Sequence, residues 1–144
     1  GASGDLIVPH DARVDDHRTR GGMAWHIVTT LPEMMAPTGL KLGSVDAHSM
    51  PPTSAAEVVA GYDAAIDDLK SALSAWSDAG LETTDELYGE SWPRGLTLFI
   101  LFSHEVHHLG QMTVLMRQAG LKVPGVYGPA REEWTAFGME TPPY

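Results

Sequence analysis

The chain has 144 residues, which suits one domain with a real hydrophobic core, so we treat residues 1–144 as a single domain. It has no cysteine, which excludes disulfides, thiolate metal ligands and cysteine nucleophiles. Nine Lys and Arg against 19 Asp and Glu give a formal net charge of −10, which repels phosphate backbones and anionic lipids, so we expect neither nucleic acid nor membrane as a partner.

The first predicted helix begins at Thr19, a residue type that caps helices, and continues to Leu31. Pro32 should kink or end it, because proline has no N–H to donate to the preceding turn. Residues 5–18 contain Pro9 and scattered charge and predict no strong helix before it.

The second predicted helix begins at Ser54, where residues 54–57 (SAAE) match a capping box. Gly80 is its expected stop. Spacings of three and four residues predict one apolar stripe along it: Val58, Tyr62, Ala65, Leu69, Ala72, Leu73 and Trp76.

The third predicted helix begins near Ser91, with Pro93 in its first turn, and extends to Ala119 before Gly120. Residues 96–102 are apolar around the whole circumference, which predicts a centrally buried helix. This run is far shorter than the ~20 residues of a membrane span, and the start of the chain shows no signal-peptide pattern, so we expect a cytoplasmic protein.

The remaining segments predict loops, because 37–52 and the tail after Pro124 are rich in Pro, Gly and Ser. A short terminal helix is expected around residues 131–137. No alternating run predicts a strand. Three helices make an incomplete bundle, so we expect either a missing first helix or a partner that covers the open side.

Histidines are concentrated in residues 104–108 (HEVHH). His104 and His108 are four residues apart and share one helix face, so both can bind a single ion, whereas His107 points away and is expected at the surface. The shared face continues through Leu101 and Gln111. Two unpaired imidazoles on such a face would each cost about a few kcal/mol in desolvation, which metal binding removes.

A third ligand has to come from another helix. Of the remaining histidines, His10, His17 and His48 lie in predicted loops, and only His26 lies in an apolar helical run. A core histidine that hydrogen-bonds a neighbour is the alternative for His26. The pattern therefore predicts a divalent metal site formed by His26, His104 and His108.

Residues 104–108 also match the H-E-x-x-H pattern of zinc proteases, in which Glu105 would be the general base. Glu132 or Glu133 could then supply a downstream ligand. The absence of a predicted strand to hold a peptide substrate argues against this alternative. We expect Glu105 to face solvent or to support the metal ligands.

The segment His104-x-x-x-His108-x-Gly110-Gln111 resembles the H-x-x-x-H-R-G-Q signature of the DinB/YfiT-like metalloenzymes. Residues 22–27 (GMAWHI) resemble that family's first-histidine segment, and residues 121–129 (LKVPGVYGP) resemble its tail. The resemblance covers roughly residues 19–129. It implies an all-α, DinB-like four-helix bundle that often forms a homodimer and binds zinc or nickel through three histidines.

Two departures from the family pattern stand out. Leu109 occupies the position of the family's usual Arg, and the family's first helix would precede His26 at a place where this chain has no strong helical pattern. The acidic composition argues against direct DNA binding, whatever the family name suggests.

Three imidazoles leave a tetrahedral ion with one open position, as in catalytic sites. We therefore expect a metal-dependent hydrolase or thiol (S-)transferase that acts on a small molecule, with metal-bound water or a low-molecular-weight thiol as reactant. Gln111 and Tyr127 are candidates for substrate contact or ligand support, although Tyr127 could simply pack within the tail. The alternatives are a non-enzymatic metal-binding stress-response or ligand-binding bundle and a metal-free bundle.

Overall fold

The computed structural model describes residues 20–143. These residues form three α-helices and one short β-hairpin: α1 (Arg20–Met35), α2 (Ala55–Leu73), β1 (Thr84–Leu87), β2 (Glu90–Pro93) and α3 (Arg94–Gln118). The mostly helical class is confirmed. The fourth helix stays a prediction, and the predicted cap Thr19, residues 5–18, His10 and His17 lie outside the described part of the chain.

Helix α1 continues through Pro32 to Met35, so the expectation that Pro32 ends it is wrong, while a kink at Pro32 stays a prediction. Leu31, Pro32, Met34 and Met35 are all buried. Tertiary packing of this last turn offsets the cost of a proline in a helix interior, about 3 kcal/mol. The prediction failed because local propensity does not register that packing.

Helix α2 has the predicted capping box: the Ser54 side chain accepts from the Glu57 amide, and the Glu57 carboxylate accepts from the Ser54 amide. The helix ends at Leu73, however, and not near Gly80. After Leu73 the backbone amides donate to carbonyls three residues back, as in a 3-10 helix, and the α-helical pattern ends; the donors are Ser74, Ala75 and Trp76.

The prediction that the chain has no strand is wrong, because β1 and β2 pair antiparallel with Leu87 opposite Glu90. Tyr88 and Gly89 form the two-residue turn with φ values of 53° and 82°, the geometry that suits the twist of a hairpin. Four-residue strands of mostly polar residues give no clear alternation. Ser91 and Pro93, expected in the first turn of the third helix, belong to β2.

Arg94, the first residue of α3, connects the hairpin to the end of α1. Its guanidinium donates to both carboxylate oxygens of Asp85, at 2.8 and 3.3 Å, and to the Thr38 carbonyl at 3.1 Å. The same group lies over the Trp76 ring, 4.9 Å from its centroid. These contacts fix the beginning of the helix that carries His104 and His108.

The C-terminus of α3 is close to its predicted position. Gly120 has a φ of 73°, its amide donates to the Arg117 carbonyl, and the Leu121 amide donates to the Met116 carbonyl. These two bonds form a Schellman motif, in which a glycine with positive φ ends the helix.

The core is formed where the three helices meet, with Val28, Leu31, Met35, Leu69 and Leu101 almost fully buried. The expectation that residues 96–102 are buried all round is wrong. Leu101 and Thr97 are buried, but Leu96, Phe99 and Phe102 are 40%, 65% and 56% exposed. Within the described part of the chain, residues 96–102 are therefore covered on one side only.

The chain divides into two compact units, Gly1–His108 and Leu109–Tyr144, and the boundary falls within α3. The first unit contains α1, α2, the hairpin and all three predicted metal ligands. The second contains the end of α3 and the tail, whose only helical turn among described residues is Trp134–Phe137, in place of the predicted helix at 131–137. None of the described helices is long and apolar enough to cross a bilayer.

Candidate metal centre

His26, His104 and His108 come together in the first unit, as predicted. The Nε2 atoms of His26 and His104 are 3.2 Å apart, and those of His104 and His108 are 3.0 Å apart. One ligand atom from each residue can be chosen so that all three lie within 4.8 Å of one another. We call these three residues the histidine cluster.

The rings of the histidine cluster meet edge to face and do not stack. Their centroids are 4.2 to 5.0 Å apart, with interplanar angles of 66°, 79° and 82°. An imidazole nitrogen has either one in-plane lone pair or one N–H, so the Nε2 of His104 cannot form good hydrogen bonds with both neighbours at once. A cation between the rings can accept a lone pair from each.

The spacing of the nitrogens in two of the three pairs fits a metal ion. A tetrahedral zinc ion with Zn–N bonds of about 2.0–2.1 Å places its ligand nitrogens about 3.3–3.4 Å apart. The separations of 3.2 and 3.0 Å in the pairs that include His104 require only small movements to reach that geometry, and the nitrogens of His26 and His108 lie within 4.8 Å of each other. Imidazole ligands suit zinc, nickel, copper and iron, so the ligand set does not select one ion.

Packing between α1 and α2 fixes the backbone beside His26. The Trp25 indole N–H donates to the Ser49 carbonyl at 3.0 Å. The ring also lies against Gly61 of α2 so closely that a Cβ added there would be 2.7 Å from Trp25 Cζ3. A glycine at this point lets α2 approach Trp25, the residue that precedes His26.

Thr29 and Thr30 help to hold the turn of α1 that carries His26. The Thr30 hydroxyl donates to the His26 carbonyl at 2.8 Å, and the Thr29 hydroxyl donates to the Trp25 carbonyl at 3.1 Å. Threonine hydroxyls commonly bond back to the preceding turn of a helix in this way.

Glu105 is buried, so the solvent-facing alternative is wrong, and its support of the metal ligands stays a prediction. Its side chain is 7% exposed, and among the described residues neither carboxylate oxygen has a hydrogen-bond partner of normal geometry. Burial raises the pKa of Glu105 to about 7, while the neighbouring Tyr62 hydroxyl acts in the opposite direction. The pKa of Tyr62 is in turn raised, first by burial and then by the negative charge of Glu105. The sequence placed Tyr62 on the buried stripe of α2 but gave no sign of this pairing.

The other histidines with described positions lie at the surface. His107 is exposed, as predicted, and its ring centroid is 5.1 Å from that of His108. His48 is exposed in the predicted loop, where its amide donates to the Asp46 carboxylate.

Gln111 and Tyr127 belong to the second unit, and both are exposed. The Tyr127 side chain is 88% exposed, so the expectation that it packs within the tail is wrong. A role for either residue in substrate contact stays a prediction.

Glu132 and Glu133, the alternative downstream ligands of a zinc-protease site, are engaged within the second unit. Glu132 forms an ion pair with Arg117 that lowers the pKa of Glu132 to about 2. Glu133 accepts from the backbone amides of Gly125 and Ala130 at 3.1 and 2.9 Å. The geometry therefore favours His26, and neither glutamate, as the partner of the His104 and His108 pair. The β1–β2 hairpin precedes the motif, so a lack of strands does not exclude the zinc-protease alternative.

The helical fold and the histidine cluster define a helical protein with a candidate three-histidine metal centre. The DinB family model matches residues 15–142, and the chain belongs to the DinB family.

Two relatives support this assignment. The uncharacterized protein YrdA of Bacillus subtilis (strain 168) is 42% identical over 125 residues, which cover 86% of this chain and 75% of YrdA. The crystal structure of a DinB-like protein from Bacillus cereus ATCC 10987 has a TM-score of 0.73 and 44% identity, with 80% of this chain and 77% of that chain covered. The predicted family is thus confirmed. The names of these two relatives state no activity.

Proposed function

We propose that the chain is a metal-dependent hydrolase or thiol transferase that acts on a small molecule at a divalent ion held by His26, His104 and His108. The observation that carries this proposal is the convergence of three imidazole nitrogens from two helices, with separations of 3.0 and 3.2 Å in the pairs that include His104. Family membership and the geometry of the histidine cluster both support metal binding.

The ligand set argues for reactivity rather than for a purely structural ion. Structural zinc sites in proteins usually have four protein ligands, whereas catalytic sites have three and leave a position open. Within residues 20–143, three side chains that could bind an ion gather at this point, and all three are histidines. When bound, a divalent ion supplies Lewis acidity, which can activate a water molecule, a thiol or a carbonyl group.

The protein contributes rigidity to the proposed site. His104 and His108 share one face of α3, and the core packing of Leu101 holds that helix against α1. His26 is fixed by the packing of Trp25 against Gly61. Such support keeps ligands in position before a substrate arrives, which lowers the cost of reorganisation in the reaction.

Cobalt substitution tests whether the site has an open position. The untagged protein is loaded with Co(II), and its visible spectrum is recorded during titration with a low-molecular-weight thiol and, separately, with azide. A small ligand that enters the metal's coordination shell changes the visible bands. We expect a saturable change with at least one of the two ligands, and a charge-transfer band with the thiol if the protein is a thiol transferase.

His104→Ala is the matched loss-of-site variant, and His107→Ala on the same helix is the control. The first should show no such spectrum, and the second should behave as the unmodified protein. A cobalt spectrum that responds to neither ligand would indicate a closed structural site. That outcome would favour the alternative of a non-enzymatic metal-binding bundle.

A further inference from the structure

Glu105 is a buried carboxyl group that the proposed function does not yet explain. The residue follows His104 directly on α3 and is only 7% exposed, and neither carboxylate oxygen has a hydrogen-bond partner of normal geometry among the described residues, although the Tyr62 hydroxyl is a close neighbour. An ionised carboxylate in such a position is costly unless an opposite charge lies nearby. Without such an opposite charge, the ionised form of Glu105 would destabilise the fold.

Three ion pairs of the described chain do not involve Glu105. They join Lys70 to Asp67, Arg94 to Asp85 and Arg117 to Glu132. The polar side chain beside Glu105 on α2 is Tyr62, which carries a hydroxyl and no positive charge.

A divalent ion held by the histidine cluster would provide the missing charge. Three neutral imidazoles leave the full charge of a divalent ion uncompensated by its ligands, and Glu105 lies one peptide unit from one of them. Consecutive helix residues differ by about 100° in direction, so the Glu105 side chain leaves α3 on a different side from His104 and is not placed to share its ligand position. Charges in a poorly solvated interior nevertheless interact much more strongly than the same charges in water, so direct contact between the carboxylate and the ion is not required.

We infer that Glu105 is the counter-charge of the three-histidine site: a positioning residue whose carboxylate offsets the divalent ion without binding it directly. This inference rests on the proposed metal centre. It also differs from the zinc-protease alternative, in which the same residue would act as a base on the reactants.

The test is the affinity of the untagged protein for Zn²⁺, Ni²⁺ and Co²⁺, measured by competition with a chelator at one pH and salt concentration. Groups that support metal ligands without touching the ion typically change affinity by about 10–100-fold. Glu105→Gln should therefore weaken binding at least about tenfold, and by a similar factor for all three ions, because a charge effect does not depend on the identity of the ion. Glu105→Asp retains the charge and should recover most of the affinity. Glu82→Gln removes one exposed carboxylate elsewhere and should change nothing.

Unfolding of the metal-free variants separates this role from a structural one. Removal of an unpartnered buried charge should leave the metal-free Glu105→Gln protein at least as resistant to urea as the unmodified protein, although it binds metal more weakly. Glu105→Leu serves as a second neutral variant, and loss of the fold in both would assign Glu105 a structural role and overturn the inference.

Two further outcomes are distinguishable. If the unmodified protein and Glu105→Gln bind the ions equally tightly, the counter-charge is overturned and the metal centre stands. If the unmodified protein binds none of the ions, the metal centre and the counter-charge are both overturned. A loss confined to one ion would indicate direct ligation by Glu105 and would also contradict the inference.

Discussion

The Nε2 atoms of His26 and His104 lie 3.2 Å apart, although 78 residues separate them in the sequence. Their proximity depends on the packing of α1 against α3, which buries Leu31 and Leu101 in one core. A metal centre formed in this way belongs to the folded state, so changes that disturb helix packing should also change metal binding.

Gly61→Ala should destabilise the protein and weaken metal binding. Alanine favours a helix by about 1 kcal/mol over glycine, but its Cβ would lie 2.7 Å from Trp25 Cζ3. The rigid indole has to move, and overpacking of this kind typically costs about 1–3 kcal/mol. We expect a net loss of stability in urea unfolding and a lower affinity for zinc, because Trp25 precedes His26.

Gly110→Ala is the control for this prediction. Gly110 also lies inside a helix, but an added Cβ would meet nothing within 4 Å. This variant should gain about 0.5–1 kcal/mol from helix propensity alone. Equal stabilisation by both substitutions would show that Trp25 does not restrict the approach of α2.

Metal removal should lower stability without unfolding the protein. The core of Val28, Leu31 and Leu101 consists of apolar contacts that need no ion. Zinc at 100 times its dissociation constant should stabilise the fold by about 2.7 kcal/mol, and a chelator should reverse the effect. Thermal unfolding with circular dichroism measures both changes, and complete loss of helicity on chelation would indicate a purely structural ion.

In the metal-free protein, Glu105 should make stability fall as the pH rises. The pKa of this carboxyl is about 7 in the fold, against an ordinary value of 4.5. A raised acid pKa leaves stability unaffected below about pH 4.5, reduces it progressively between about pH 4.5 and 7, and lowers it no further above pH 7. The free energy of unfolding of Glu105→Gln should therefore equal that of the unmodified protein at pH 4.5 and exceed it by about 1–2 kcal/mol at pH 8. This difference is smaller than the full pKa shift implies, because the site relaxes around the charge.

Urea unfolding at the two pH values, in the presence of a chelator, measures this difference. Glu82→Gln, which removes an exposed carboxylate, should show no comparable change. A difference between Glu105→Gln and the unmodified protein that is the same at both pH values would contradict a buried, titrating carboxyl.

The helical spacing of apolar residues and the capping and terminating residues of the sequence were enough to predict the helices that carry the site. The capping box at Ser54 and the terminal Gly120 act through local hydrogen bonds, so their effects can be read from neighbouring residues. The pair of His104 and His108 was likewise predictable, because a spacing of four places two side chains on one helix face.

Features set by tertiary packing were not predictable in this way. Helix α1 passes through Pro32 because its last turn is buried, and the hairpin depends on a two-residue turn between short polar strands. The burial of Glu105 depends on its position opposite Tyr62 of α2, a pairing with no local signal. Phe99 and Phe102 were expected to be buried but are exposed, because apolar composition alone does not decide which side of a helix is covered.

The most direct test of the metal centre is elemental analysis of untagged protein for the unmodified chain and for His26→Ala, His104→Ala and His108→Ala, with His107→Ala and His48→Ala as controls. We predict about one divalent ion per chain in the unmodified protein and in both controls, and a large loss of metal in each of the three cluster variants. Full metal content in His26→Ala would contradict the account, because the ion would then not depend on the ligand that joins α1 to α3.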